Sequence, residues 1–297
     1  MRRLTRLGLL LVLSALMTVS FMVSRVAPDT MLTVLTMNCG DGSNWDANGT
    51  ESILHILDVC VMPDLVFIQE PMKYIKEIAN RFAYAHVIKS GEKHWYSHPI
   101  VLTNYDVLST SFLFLNEDDH QHGFATCAAL EHEGHSYFVC SVHLDTAYLQ
   151  ERGEDQSIDL SWKDTLSLVW SEVFDDTIRY QEMLKLLDVI STRNEEYVIL
   201  GGDFNTIFLA KGIRELNQVL DDALWPSLAY FQGTHAKIHF PITPRIDYIF
   251  HSPQLECWDA EVIPISPGDH YPVYAQFILP PPMPKPMGEP VQDEPVQ

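Results

Sequence analysis

Cysteine and basic charge are both scarce in this chain of 297 residues, and each scarcity excludes something. The five cysteines, Cys39, Cys60, Cys127, Cys140 and Cys257, form no Cys-x-x-Cys pair. That excludes a zinc ribbon, and so odd and sparse a set is not a disulfide framework. One bridge is compatible with an exported chain, but the sequence does not say which pair would make it. Cys39 and Cys140 lie in or beside strand-like runs and read as small core residues. Only 19 Lys and Arg stand against 40 Asp and Glu, a formal charge of −21. A chain this acidic has no broad basic face with which to grip nucleic acid. Heptads and a Gly-x-y period are also missing, which excludes coiled coil and collagen. No Gly-x-Ser-x-Gly, Walker loop or His-Glu-x-x-His is present, so the hydrolase designs built on those motifs lack support.

What is present is apolar and aromatic: 46% of residues are apolar, with 14 Phe, 12 Tyr and 6 Trp. A globular chain of this length buries roughly three quarters of its unfolded surface. The two ends stand apart from it. Arg2, Arg3 and Arg6 precede an uncharged run from Leu7 to Val23. A basic start before an apolar run is the pattern of an N-terminal membrane anchor or a cleaved export signal. Either reading places the remainder across the membrane: anchored outside the cytoplasm, or secreted or periplasmic. The last residues, from Pro280, hold seven prolines and no apolar periodicity, which reads as a loose tail. The expected organisation is therefore a segment over 1–30, one domain over 31–279 and a Pro-rich tail over 280–297.

Within the domain, short apolar runs end abruptly in residues that bind metals or move protons. Residues 31–37 end at Asn38, 64–69 at Glu70, and 136–142 at His143. Residues 197–202 end at Asp203-Phe204-Asn205; 245–250 contain Asp247; and Asp269-His270 stand just before 271–278. Helices are expected over 51–61, 161–174 and 177–190. In the second of these, Trp162, Leu166, Val169, Trp170 and Val173 fall on one stripe, expected to pack into the core. His120, His122, His132 and His135 read as loop decoration.

Carboxylates and asparagine without cysteine form a hard-ligand set suited to magnesium, manganese or calcium. Glu70 is the leading ligand, with Asp203, Asn205 and Asp269 as further candidates. His143 and His270 can carry protons or stabilise charge on a phosphate. Asp247 can orient His270 and raise its basicity, so that a water aligned by the pair attacks phosphorus.

Six segments then resemble the endonuclease/exonuclease/phosphatase superfamily, the fold of deoxyribonuclease I. They are Thr36-Met-Asn38, Ile68-Gln69-Glu70, Ser141-Val-His143, Gly202-Asp203-Phe204-Asn205, Arg245-Ile-Asp247-Tyr-Ile-Phe250 and Gly268-Asp269-His270-Tyr-Pro272-Val. They occur in the family's order. The resemblance implies a four-layer α/β sandwich, two packed and mostly antiparallel β-sheets flanked by helices. It implies a metal-dependent phosphoesterase in which Glu70 holds the metal, Asn38 supports it and Asp269 lies beside it. Asp203 and Asn205 would orient nucleophile and phosphate, Asp247 would pair with His270, and His143 would act as general acid or phosphate contact. The family's usual Ser-Asp-His reads Gly268-Asp269-His270 here, which leaves the catalytic pair intact. Arg179 and Gln181 on a helix, and Gly233-Thr234-His235 in a turn, could line the substrate groove, with Arg179 and Thr234 as substrate contacts.

The expected activity is hydrolysis of a phosphodiester, as in an exported nuclease. The alternative is a phosphatase or a sphingomyelinase-like enzyme on a small or lipid phosphate ester. A weaker alternative is an inactive, membrane-tethered binding module. The expected partners are the phosphate-ester substrate and, through an uncleaved N-terminal segment, a membrane; no protein partner is evident.

Overall fold

The computed structural model describes residues 30–40, 47–71, 75–90, 98–116, 123–146, 162–235 and 243–281. The expected anchor or signal, Asp41, His120, His122, the side chain of Trp162 and the tail beyond residue 281 lie outside the described residues. By its internal contacts the chain divides into Met1–Thr30 and Met31–Gln297. Among the described residues, no helix is long and apolar enough to cross a membrane.

The second unit runs β1 (Met31–Asn38), α1 (Ala47–Val59), β2 (Leu65–Gln69), α2 (Ile75–Arg81), β3 (His86–Ile88), β4 (Ile100–Thr103), β5 (Asp106–Phe114), β6 (Phe124–His132) and β7 (His135–His143). It continues through α3 (Trp162–Phe174), α4 (Ile178–Ser191), β8 (Tyr197–Asp203), α5 (Lys211–Leu216) and β9 (Asp221–Asp222). After a 3₁₀ turn at Leu228–Phe231 come β10 (Asp247–His251), β11 (Glu256–Val262) and β12 (Val273–Ile278). One sheet has the order β11-β12-β1-β2-β4-β3, the other β5-β6-β7-β8-β10-β9. Pairing is antiparallel except for β1 with β2 and β7 with β8, which lie at the sheet centres.

Residue alternation along the strands explains the layers. In β1, Leu32 and Val34 join the core between the sheets, while Leu35 and Met37 pack outward against Ile53, Ile56 and Leu57 of α1. In β8, Tyr197 and Ile199 face inward, while Val198 and Leu200 face Met183 and Leu186 of α4. Both sheets are thus covered on both faces, and their central strands read as continuous apolar runs. Gly201 of β8 lets the two sheets pack closely at Phe67 of β2. A Cβ there would stand 2.1 Å from Phe67 Cδ2, so any larger residue must push the Phe67 ring out of the inter-sheet core.

Several expectations change. The stripe on α3 is not core: Leu166 and Trp170 are 57% and 65% exposed, and Val169 and Val173 are only half-buried. The outer face of the sheet is already covered by α4 and α5, so α3 lies outside them. The one buried side chain among the described residues of α3 is a carboxylate, Glu172. Cys140 is buried as expected, but it forms a disulfide with Cys127, directly opposite it on β6. His132 and His135 are not loop decoration. They face each other across a two-residue turn in which Glu133 and Gly134 both have positive φ, the hairpin geometry that matches strand twist. The His132 ring stacks on Tyr105, and His135 is buried between Glu196 and the Pro280 carbonyl.

Candidate active site

The central strands carry a polarity gradient on their inward faces. β1 reads Leu32, Val34, Thr36, Asn38; β7 reads Tyr137, Val139, Ser141, His143; β8 reads Tyr197, Ile199, Gly201, Asp203. The apolar positions fill the inter-sheet core. One layer up, Gln69 of β2 donates to Ser141 Oγ across the sheets (3.1 Å). The next layer opens at the strand ends and carries the charge. His143, Asp203 and Asp247 are register partners across three adjacent strands, so they form one row. Asn38 and Glu70 face that row from the other sheet. Glu70 would point outward by alternation, but its backbone turns through φ +50°, a conformation rare for Glu, and its carboxylate meets Asn38.

The cluster is tightly connected. Asn38 Nδ2 donates to Asp203 Oδ2 (3.0 Å) and to Glu70 Oε1 (3.4 Å), joining the two sheets. Its Oδ1 accepts from the Gly40 N–H (2.9 Å). The imidazoles of His143 and His270 each place Nε2 3.8 Å from the same Asp203 oxygen. His143 Nε2 also lies 3.7 Å from Glu70 Oε1. His270 Nδ1 lies 2.9 Å from Asp247 Oδ2, which fixes the ring, and Asp269 Oδ1 is 3.9 Å from its Nε2. Asn205, with φ +49°, donates its backbone N–H to Asp203 Oδ1 (2.8 Å) and its side-chain amide to the Leu144 carbonyl (2.9 Å).

Burial and neighbouring charge set the proton affinities. Burial pushes Asp203 up to about 6, against the pull of His270 and His143. Burial opposes charge on His270, yet Asp247, Asp203 and Asp269 together outweigh it and lift the imidazole to about 10. His270 therefore holds its proton at neutral pH unless the surrounding negative charge is offset.

Eight of the ten residues singled out from the sequence come together here: Asn38, Glu70, His143, Asp203, Asn205, Asp247, Asp269 and His270. Thr234 is adjacent but turned inward. Its hydroxyl accepts from the Ile246 and Asp247 N–H groups (3.0 and 3.1 Å), so it holds the strand start that carries Asp247. His235 bridges to His270, with ring centroids 4.9 Å apart. Arg179 is not part of the cluster. Its guanidinium is buried against Glu172 and the Asp145 carbonyl, and Gln181 is exposed on the surface of α4. Sequence reasoning missed Asp145, Glu172, Glu182 and Thr206, all buried within this neighbourhood. A signal was present for two of them: Asp145 and Thr206 each follow a motif residue, His143 and Asn205, by one or two positions.

The donor set fits a hard divalent cation. Asp203, Asp247 and His270 offer atoms within 4.8 Å of one another, and Asp247 Oδ1 is buried without a hydrogen-bond partner. Glu70 and Asp269 add carboxylates at the more open side, 26% and 27% exposed. An oxygen-rich donor set of that kind suits magnesium, manganese or calcium.

The profile of the Endonuclease/Exonuclease/phosphatase family matches residues 35–270. No curated protein matches the chain by sequence. Among solved structures, zebrafish (D. rerio) TDP2 complexed with a single-strand DNA product superimposes with a TM-score of 0.64 at 15% identity, covering 84% of this chain and 100% of that one. An endonuclease/exonuclease/phosphatase family protein from Bacteroides thetaiotaomicron gives 0.63 at 16% identity, covering 84% and 98%. A mannosyl-6-phosphatase from the same species gives 0.58 at 16%, covering 84% and 100%. At these identities the likeness is one of fold, and the profile match over most of the chain supplies the lineage. The two six-stranded sheets, the motif residues gathered at their open end and the matched profile make this chain a member of the endonuclease/exonuclease/phosphatase family, a phosphate-ester hydrolase on the deoxyribonuclease I-like sandwich.

Proposed function

We propose that the chain hydrolyses a phosphodiester with the help of a magnesium ion and works outside the cytoplasm. The observation that carries this reading is the pair of imidazoles that approach one Asp203 oxygen from either side, each at 3.8 Å. An alkyl phosphate ester has a poor alkoxide leaving group, so a donor for the leaving oxygen helps as much as a base for the attacking water. Asp247 orients His270 so that Nε2, once the negative charge that keeps it protonated is offset, can take the proton from water. His143 donates to the leaving oxygen or binds the phosphate. Asp203 and Asn205 align water and phosphate.

Glu70 is the leading residue to hold the ion, with Asp269 beside it and Asn38 holding the Glu70 carboxylate by its amide nitrogen. The Asp203, Asp247 and His270 group is the other candidate. The Glu70 side is preferred because an ion bound there leaves the Asp247–His270 hydrogen bond intact and is open enough to keep waters. Magnesium is the expected metal, with manganese an equivalent and calcium a weaker substitute. Bound there, the ion supplies neutralisation of the charge that grows on the phosphoryl oxygens.

A nucleic-acid strand is the first substrate. The fold likeness to TDP2 with its DNA product supports it, and the family includes nucleases. Among the described residues, Arg179 and Arg245 are each bound to a carboxylate, so neither is offered to a dianionic monoester. A lipid phosphodiester is the second reading, favoured by the exposed apolar ridge of Leu166, Trp170, Phe174 and Ile178. Export is supported by the uncharged Leu7–Val23 run and by the Cys127–Cys140 disulfide, a bond that persists in oxidising compartments.

Plasmid DNA, sphingomyelin, bis(p-nitrophenyl) phosphate and a sugar phosphate, assayed in parallel with magnesium, test the proposal. Diester cleavage that disappears in Glu70→Ala and His270→Ala is expected. Cleavage surviving both substitutions belongs to a contaminant and removes the claim. A folded chain inert toward every ester would instead be a binding module.

A further inference from the structure

Behind the catalytic row lies a second buried polar cluster, which the mechanism above does not use. Glu172 of α3 accepts from Arg179 Nη2 and Nε on α4, the latter at 3.2 Å, and from the Thr206 hydroxyl. Arg179 Nη1 donates to the Asp145 carbonyl (3.1 Å). Glu182, one turn further along α4, accepts the Asp145 N–H (3.0 Å). Asn116 donates to the Asp145 carboxylate (3.4 Å). Glu172, Arg179, Glu182, Asp145 and Thr206 are all buried.

These contacts meet at two turns. One is the turn after β7, where Asp145 follows His143 by two residues. The other is the turn after β8, where Thr206 follows Asn205. The turns are themselves joined: Leu144 N–H donates to the Asp203 carbonyl (3.0 Å), and the Asn205 amide donates to the Leu144 carbonyl. Asn205 sits at φ +49°, and such a conformation persists when its surroundings over-determine it.

A cluster of this kind is not the cheapest way to hold two helices on a sheet. Apolar side chains of similar volume commonly serve stability as well or better than a buried ion pair. Here Leu166, Trp170 and Phe174 of α3 face solvent while Glu172 is buried. Hydrogen bonds fix direction where apolar contacts do not, and displacing a catalytic group by about 1 Å can cost on the order of 100-fold in rate.

We infer that Glu172, Arg179 and Glu182 form a brace whose role is to position His143 and the Asp203–Asn205 turn for phosphoester hydrolysis. They are positioning residues and touch no reacting atom. The inference rests on the proposed activity for its kinetic half only.

The test uses the full chain and compares Arg179→Met, Arg179→Lys and Glu172→Gln with Leu186→Ala. The last variant cuts a core side chain of α4 in the apolar cluster that also holds Leu144 and Phe204, so it loosens packing beneath both turns while leaving every polar contact of the brace in place. With bis(p-nitrophenyl) phosphate and magnesium, at temperatures where all variants are folded, Arg179→Met is expected to lower kcat ten- to hundredfold with KM within about twofold. Arg179→Lys keeps the charge but not the fork and is expected to recover only part of that loss. Leu186→Ala is expected to lose stability and keep kcat. Amide hydrogen exchange gives a readout without substrate: peptides covering 143–146 and 203–206 should exchange faster in Arg179→Met, while those of β12 stay unchanged. A kcat loss in Arg179→Met no larger than in Leu186→Ala overturns the inference, as does unchanged exchange in the two turns. If the wild-type chain cleaves no diester, the proposed activity fails, and the exchange measurement still decides the brace.

Discussion

Two buried polar clusters sit on opposite sides of the turn at 203–206, and they are built differently. The brace brings its own cation: Arg179 lies between Glu172 and the Asp145 carbonyl, and the Glu182 carboxyl keeps its proton up to about 8 because it is buried. The catalytic cluster has no Lys or Arg among its described contacts. Glu70, Asp203, Asp247 and Asp269 face two histidines. A cluster that balances itself can serve as support. Among the carboxylates of the catalytic cluster, Asp247 keeps a buried oxygen, Oδ1, without a hydrogen-bond partner, and that oxygen is the physical basis for proposing a cation from outside.

The contrast is broken most severely at His270 and Asp247. His270→Ala and Asp247→Asn should each lower kcat by about 100- to 10,000-fold, the usual range for losing a general base or its orientation. Asp247→Asn should leave thermal unfolding nearly unchanged. Steady-state kinetics beside a melting curve would show it, and near-wild-type turnover in either variant would count against the pair. Metal removal comes next. Chelation should abolish turnover and lower Tm, because a ligand that binds only the folded chain at 100 times its Kd adds about 2.7 kcal/mol. In Glu70→Ala that Tm response to magnesium should shrink, whereas in Arg179→Lys it should persist, since the brace holds no ion.

Thr234→Val should have a moderate effect. It leaves the buried Ile246 and Asp247 N–H groups without their acceptor, at about 1–3 kcal/mol for an unsatisfied group. Urea unfolding would measure the loss, and an unchanged midpoint would show that water replaces the hydroxyl. The effect expected at Glu182 is a matter of pH. Its folded-state proton affinity is raised to about 8 from an ordinary 4.5. The stabilising contribution is therefore complete below about 4.5 and is lost as pH rises toward 8, because the unfolded chain releases the proton first. Glu182→Gln should flatten Tm against pH across that window. A variant profile parallel to wild type would show that Glu182 is ionised in the fold.

Most of the catalytic cluster was legible in the sequence because strands punctuate it. On their inward faces β1, β7 and β8 run from apolar residues through a small or hydroxyl one to a last residue that binds metal or moves protons, and that residue lies in the cluster: Asn38, His143 and Asp203. Glu70 is the exception that still reads correctly, since it follows a strand end but reaches the site through a positive φ. The brace was illegible for the opposite reason. Glu172 and Glu182 lie on helices whose spacing resembles that of any solvated face, and Arg179 looked like a groove residue until its partners were known. The α3 stripe misled in the same way, because periodicity reports amphipathicity and not which helix reaches the sheet first.

The sequence by itself determined the strands, their polar ends, the acidic excess and the membership those motifs announce. These are local properties, fixed by alternation, by the composition of short runs and by the order of motifs along the chain. The tertiary structure decided which cysteines pair, which helix faces water, and which carboxylates oppose an arginine and which oppose each other. Those depend on residues distant in the chain, such as Asn38 and Asp203, meeting across two sheets, and spacing along one strand carries no information about that meeting.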